Sequence, residues 1–447
     1  MNLEQFMDQL LAAAREGGIE TAEAFARASD SFSARAMDQV IDSYEVSSSQ
    51  GVSLRGTVSG RMGYASSEAL DETAIRQMVE AVKESAALNE AEEQDEIFPG
   101  EAAYPELQPE ENDFSDFPAE KRLAMALCME KAMREADSRI VQSEGSVFQT
   151  STGRTLIRNS FGLKLQRESA FFVAYASPVA RDGEAAASGF SLKVGRKIGA
   201  FDPEEVGREA ARETAAMLHA EPVPSADYRV VLRWDAMQAL LSTFSGIFSA
   251  ENAQQRLSLL AGREGETIAA PIVTLTDDPL RKGGLASRAF DDEGSACRTK
   301  AVVAQGVLKT LLHSRKTARK QGVETTGNAA RGGYGGSVHV SPTNFYLEPG
   351  EKTLDELLRD MGEGLLITDV SGLHAGANPV SGDFSLLSKG FVIRNGQKAE
   401  PVERVTIAGN FYQLLKDIRA IGCDLNFPGS GIGAPSVDAG TLKVSGK

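Results

Sequence analysis

Only three cysteines and four histidines occur in this 447-residue chain. Cys128, Cys297 and Cys423 are odd in number and far apart, which excludes a disulfide framework and fits a reducing compartment. His219, His313, His339 and His374 are equally dispersed, and no two fall within one or two helical turns, so no local ligand pair for a metal can form. Long apolar runs are missing too. None reaches the roughly 20 residues needed to cross a bilayer, and Met1-Asn-Leu-Glu-Gln-Phe6 has neither the basic nor the apolar region of a signal peptide. The expectation is a cytoplasmic protein with no membrane association. Positive charge is also short: 47 Lys and Arg against 63 Asp and Glu give a net −16, a poor match for a nucleic-acid backbone. The basic stretch Arg315–Lys320 has no interleaved aromatics and reads as a solvated helix face.

What remains is an ordinary globular composition, 42% hydrophobic and 25% charged, with enough chain for two or three domains. Apolar residues at helical spacing predict a helix over 2–18, closed by Gly17-Gly18. Strand-like runs at 22–28 and 39–49, a glycine-rich hairpin around 51–65 and a helix over 71–87 complete a small α+β domain, 1–89. Residues 90–117 are acidic, contain Pro99, Pro105 and Pro109, and read as a linker that is neither helical nor readily buried. A middle α+β domain, 118–220, has helices at 119–136 and 202–218, the second capped by Asp202 with Pro203 at its first position. Its strands are expected at 140–150, 154–159, 163–174 and 187–196, with Ser177-Pro178 interrupting the last pair. After the Glu221–Ser225 linker, short β-prone runs at 228–232, 272–276, 365–368 and 390–394 predict a β-rich domain over 227–447, covered by helices at 235–244, 353–361 and 410–421.

Motifs for common chemistries are absent. No Gly-x-Ser-x-Gly elbow sits on a strand-to-helix turn, and no phosphate loop or dinucleotide fingerprint occurs. Arg331-Gly-Gly-Tyr-Gly-Gly336 follows no clear strand and reads as a mobile loop lining a groove. Phe290-Asp-Asp-Glu-Gly294 packs three carboxylates together but lacks the alternating register of a calcium loop. Gly372–Ser385 is a dense turn that sets His374 beside Asn378, Ser381 and Asp383, where side chains can meet a peptide groove or chamber. The His374 ring either contacts a ligand there or satisfies a loop carbonyl.

Four segments, Phe290–Gly294, Thr326-Gly-Asn-Ala329, Gly372–Ser385 and Ala408-Gly-Asn-Phe411, together resemble the C-terminal half of the TldD/PmbA family of zinc peptidases and their partner subunits. Gly51-Val-Ser-Leu-Arg-Gly56 and Gly60-Arg-Met-Gly-Tyr-Ala65 are similar to the family's N-terminal domain. The resemblance implies a His-Glu-x-x-x-His zinc helix in the TldD branch. At the matching place, before Thr274–Pro279, this chain reads Ser242-Thr-Phe-Ser-Gly-Ile-Phe-Ser-Ala-Glu-Asn252, so it resembles the PmbA (TldE) branch. Cys423 falls short of the family's third ligand position, which corresponds to Gly429–Pro435, and is expected to be a small buried residue. The Asp-Asp-Glu turn recurs with and without zinc in the family and so implies architecture.

The implied function is a subunit that holds no zinc, completes a chamber with a TldD-like zinc subunit and acts on unfolded peptides. Assembly as a hetero-oligomer or homodimer is expected to use unclosed strand edges of the C-terminal domain. Two alternatives stand beside this reading: a self-sufficient hydrolase built on His374, Asp383 and Ser385, and a regulatory binding protein, since family members have been named modulators of DNA gyrase.

Overall fold

The computed structural model describes residues 1–89, 96–107 and 111–447. The chain opens with α1 (Leu3–Glu16), fixed at its start by a reciprocal cap: Asn2 Oδ1 accepts the Gln5 amide while Gln5 Oε1 accepts that of Asn2. Strands β1 (Thr21–Met37), β2 (Val40–Val58) and β3 (Arg61–Ser67) follow, then α2 (Glu72–Leu88). After the 96–117 region come α3 (Ala119–Ala136), β4 (Ile140–Asn159), β5 (Lys164–Asp182), β6 (Ala185–Ser188), β7 (Ser191–Gly195) and α4 (Pro203–Ala215). Asp202 caps α4 and Pro203 takes its first position, as expected.

All seven strands belong to one antiparallel sheet, ordered β3-β2-β1-β4-β5-β6 with β7 also on β5. The N-terminal and middle segments therefore share a sheet through the β1–β4 pair, which runs from Glu23↔Asn159 to Ala36↔Ser146. The period-2 alternation of β1 sorts its two faces. Ala22, Ala24 and Ala26 pack under α1 and α2, while Phe32, Ala34 and Ala36 pack under α3. The other face carries Glu23, Phe25 and Arg27 toward the C-terminal region.

Several expected strand breaks do not occur. β4 passes through Gly153 unbroken, and β5 passes through Pro178 because that residue pairs at the irregular register between Ser143 and Ser146, where a missing amide donor is tolerated. The acidic stretch also differs from expectation. Residues 90–95 and 108–110, Pro109 among them, lie outside the described residues; no α-helix forms in the described remainder, yet Ile97, Phe98 and Phe114 are buried.

The C-terminal region contributes β8 (Ala226–Leu232), α5 (Trp234–Phe244), α6 (Ala250–Gln254), β9 (Leu275–Asp277), β10 (Lys300–Ala304), β11 (Val307–Leu308), α7 (Arg315–Gln321), β12 (Ala329–Arg331), β13 (Val338–Val340) and β14 (Phe345–Leu347). Then follow α8 (Leu354–Met361), β15 (Gly364–Ser371), α9 (Leu373–Gly376), β16 (Asp383–Arg394), β17 (Gln397–Asn410), α10 (Phe411–Asp417), β18 (Ala420–Ile421), β19 (Ile432–Gly433) and β20 (Val437–Ser445). The fold is mixed α+β with a β-rich C-terminal region.

The pairings β8–β15–β16–β17–β20–β8 form a closed circuit, sealed where Ile407 meets Val444 and Val437 meets Leu232. The circuit has no end strand, so the expected unclosed edges are absent from this sheet and remain only at the ends of the smaller sheets of the region. Inside lies the largest core cluster, including Val230, Leu365, Ile367, Leu386, Ile407 and Val444. A second sheet, β11-β10-β9-β14-β19, stands beside it. The run 272–276 delivers only the last residues to that sheet, and α10 stops at Asp417 because Ile421 pairs with Val437 instead.

Candidate functional site

Two clusters bring together the segments singled out in the sequence. The first is a buried ionic network between the long sheet and the C-terminal region. Glu23 on β1 lies opposite Arg55 on β2, which clasps it with two hydrogen bonds of 2.8 and 3.0 Å; Arg331 at the end of β12 adds a third at 2.6 Å. Burial opposes ionisation of Glu23, but these two guanidiniums outweigh it and hold the carboxyl below its ordinary range. Arg331 also lies over the Phe25 ring, 4.3 Å from its centroid.

Asp292 in the Asp-Asp-Glu turn receives Arg27 at 2.8 Å, Arg167, and the Arg331 amide at 2.8 Å. Burial again resists charge, yet Arg167, Arg288 and Arg27 lower this carboxyl to about 2. Asp291 instead organises backbone, accepting the amides of Glu293, Ser295 and Ala329. Glu293 accepts the Arg315 amide at the start of α7, and burial together with repulsion from Asp291 pushes it up to about 7. Thr326–Ala329 joins the same network: Asn328 donates to Asp277 at 2.9 Å, and Lys300 Nζ bonds both of them.

This network has the chemistry of a lock. Its carboxylates are committed to arginines, Lys300 and backbone amides, which leaves none of them arranged around a cation. An architectural role for Phe290–Gly294 fits that arrangement. Sequence reading missed Glu23, Arg27, Arg167 and Arg331 as a group. The available signal was a charged pair at strand positions, Glu23 between Ala22 and Ala24 and Arg55 between Leu54 and Gly56.

The second cluster is the Gly372–Ser385 turn. Asn378 Oδ1 accepts the amides of Val380 and Ser381, and Gly382 adopts φ +82° with its α-carbon against the Tyr412 ring. Asp383 Oδ2 accepts from Ser381 Oγ at 2.8 Å and Oδ1 from Asn410 Nδ2 at 2.8 Å. Those two hydrogen bonds, Asn410 first, draw the Asp383 carboxyl below its usual value. Asn410 also donates to the Ser381 carbonyl and caps α10, so Ala408–Phe411 and Gly372–Ser385 are one structural unit.

Asn378, Pro379, Asp383 and Ser385 line an open cleft of about 490 Å³ with the 375–377 segment. His374 and Ser381 stand outside its lining. His374 is exposed on the short α9, and no hydrogen bond to its ring is present among the described residues. A nucleophilic triad of His374, Asp383 and Ser385 is not assembled: Asp383 is engaged by Ser381 and Asn410, with no hydrogen bond to His374 or Ser385.

The fit of a zinc ion can be judged from the donors. His313 is buried with Nδ1 3.3 Å from Thr317 Oγ1, and burial lowers its basicity. His219 meets Asp182 at 2.9 Å on the surface, and His339 is exposed on β13. Cys297 is buried, donates to the Gly327 carbonyl, and is pushed up to about 11 by burial. Cys423 is exposed, which corrects the expectation that it is buried: it follows the backbone link from Gly422 to Ser436 on a surface turn. Among the described residues no three His, Cys, Asp or Glu side chains converge in a way that fits zinc. Residues 242–252 instead form the end of α5, a turn and α6. There Phe244 stacks on Phe411 at 4.7 Å and Phe248 packs on Phe345 at 5.4 Å.

Comparison with known proteins gives three family matches along the chain. PmbA/TldA metallopeptidase domain 1 matches residues 22–86, the central domain 112–218 and the C-terminal domain 225–446. A Haemophilus influenzae protein named metalloprotease PmbA homolog is 27% identical over 411 residues, 91% of this chain and 88% of the relative. A Thermotoga maritima crystal structure, described as a modulator of a DNA gyrase, superimposes with a TM-score of 0.92 at 33% identity, covering 99% of this chain and 100% of that one. TldE from Thermococcus kodakarensis shares the fold, with a TM-score of 0.90 at 23% identity over 99% of this chain and 100% of that one.

Proposed function

The chain belongs to the PmbA/TldD metallopeptidase family, and from that premise we propose that it is the family's partner-type subunit, which shapes a peptide chamber while a TldD-like homologue supplies the zinc. The observation that carries this reading is the 242–252 segment. Where the catalytic branch needs a helix with two histidines and a glutamate, this segment has no histidine, and its Phe244 and Phe248 serve the apolar core. A hydrated divalent ion gives up its water only for converging nitrogen, sulfur or carboxylate ligands, and an aromatic core offers none.

The substrates in this reading are unfolded peptides and the compartment is the cytoplasm; the 42% hydrophobic composition and the lack of any membrane-crossing helix among the described residues are compatible with it. Family names that include metalloprotease support the peptide-cleaving context. The test is elemental analysis of the purified chain after mild dialysis. Less than a tenth of a zinc per chain is expected; one tightly held zinc per chain would overturn the assignment.

A further inference from the structure

One strand edge in the molecule is long, bare and exposed. β2 pairs with β1 over its whole length, but β3 covers only Val52–Val58 of its other side. From Ser43 to Gln50 every residue is exposed, and no other strand or loop among the described residues makes a backbone hydrogen bond to that side. The bare edge from Ser43 to Gln50 runs for about 26 Å at the usual rise per strand residue. Natural edges of this length are blunted by lysine, proline or a covering element. This one has no lysine, proline or covering element, and its protection is limited to Glu45 and the bulge opposite Arg35–Ala36 at its start.

The edge has a defined end. Gly51 lies under the ring of Tyr334, whose hydroxyl donates to Glu68 at 2.6 Å, and a β-carbon on Gly51 would come within 2.5 Å of that ring. Tyr334 thus marks where β3 takes over and where an added strand would have to stop. The edge also has a cleft at its side. Val46 lies opposite Phe32, so both point to the same face of the sheet, and there they line a hollow of about 410 Å³ with Phe114, Phe117, Pro118 and Thr150. Arg122 forms part of this hollow, but its guanidinium is committed to the carbonyls of Phe117 and Phe114 and to Thr150 Oγ1. The hollow therefore suits an apolar side chain.

We infer that the Ser43–Gly51 edge of β2 docks an extended peptide as an added strand, with one apolar side chain seated in the Phe32–Val46–Phe117 hollow. The inference rests on the peptide-handling role proposed above and adds a place and a preference to it. Main-chain pairing gives affinity without sequence, and a pocket on one face selects every second side chain. The Ser47-Ser48-Ser49-Gln50 run gives little side-chain discrimination, as sequence-tolerant capture requires. Asp30 beside the hollow and Glu45 along the edge favour a peptide with basic residues flanking its apolar one. A second copy of the chain is a poorer occupant. A stable interface buries on the order of 1,200–2,000 Å² with an apolar centre, whereas this edge offers chiefly Tyr44 and Val46 as exposed apolar groups.

The test uses the full chain and a fluorescein-labelled twelve-residue peptide of Gly, Ser and Lys with one central Leu. Hydrogen exchange with peptide present should protect amides within 43–51. Val46→Lys, at a position 71% exposed, should weaken binding by anisotropy at least about tenfold without moving the melting temperature. Binding without protection at 43–51, or no binding at all, would overturn the inference. So would a dimer that Val46→Lys converts to monomer by light scattering, with 43–51 protected before peptide is added. The same peptide offered to a mixture with a zinc-bearing homologue separates the two claims. Cleavage without protection at 43–51 sinks the docking site and keeps the proposed function; protection without cleavage does the reverse.

Discussion

Glu293 and Glu23 are both buried carboxylates in one network, yet they respond to pH in opposite directions. Glu23 and Asp292 titrate below their ordinary values in the folded chain, so their contribution to stability is present above the unfolded values and disappears as pH falls through the folded ones, toward about 2 for Asp292. Glu293 is raised from 4.5 to about 7. The folded chain therefore holds a proton between those values that the unfolded chain has released, and stability declines as pH rises through that window. Glu293→Gln keeps an oxygen for the Arg315 amide and removes the titration. Urea unfolding at pH 5 and pH 8 should show a smaller loss between the two for the variant than for the parent; an unchanged difference would contradict the assignment. His374 presents the contrasting case. Its exposed ring has no partner to orphan, so His374→Ala should alter stability by less than about 0.5 kcal/mol. A clear fall in melting temperature would show that the ring holds the turn together.

At the scale of elements, Arg331 connects the β12–β13 hairpin to β1. Its removal leaves Glu23 with Arg55 alone, so Arg331→Ala should cost about 3 kcal/mol, the low end for breaking a buried ion pair. Denaturant unfolding of the intact chain measures this, and a change below about 1 kcal/mol would mean the network relaxes around the loss. Asn410→Ala should also destabilise, by about 1–3 kcal/mol, because it removes a helix cap and two hydrogen bonds in the Gly382 turn; the melting temperature reports it. These elements also show what sequence can and cannot reveal. Helix α1 is legible from its apolar spacing and α4 from its Asp202 cap and Pro203, and the Gly372–Ser385 and Ala408–Phe411 segments are legible as special turns. Their union through Asn410 is not, because a side chain reaching 29 residues back leaves no local pattern. The glycine-rich run reads in the sequence as a loop following no strand, whereas its first residue ends β12 and is buried. A three-residue strand has too few positions for alternation to register. Arg331 and Glu23 are 308 residues apart, and their pairing depends on how β1 turns its odd-numbered face toward the C-terminal region.

For the whole molecule, the shared sheet and the closed circuit of strands in the C-terminal region leave β2 as a long bare edge and an aromatic core at 242–252. Together with the family assignment, these features support a subunit that handles peptide without holding the metal. The most direct measurement is cleavage of an unstructured peptide by the isolated chain and by the chain mixed with a His-Glu-x-x-x-His homologue, each with and without chelator. No cleavage is expected from the chain alone, and chelator-sensitive cleavage from the mixture that exceeds the homologue by itself. Chelator-resistant cleavage by the isolated chain, persisting through further purification, would contradict the account.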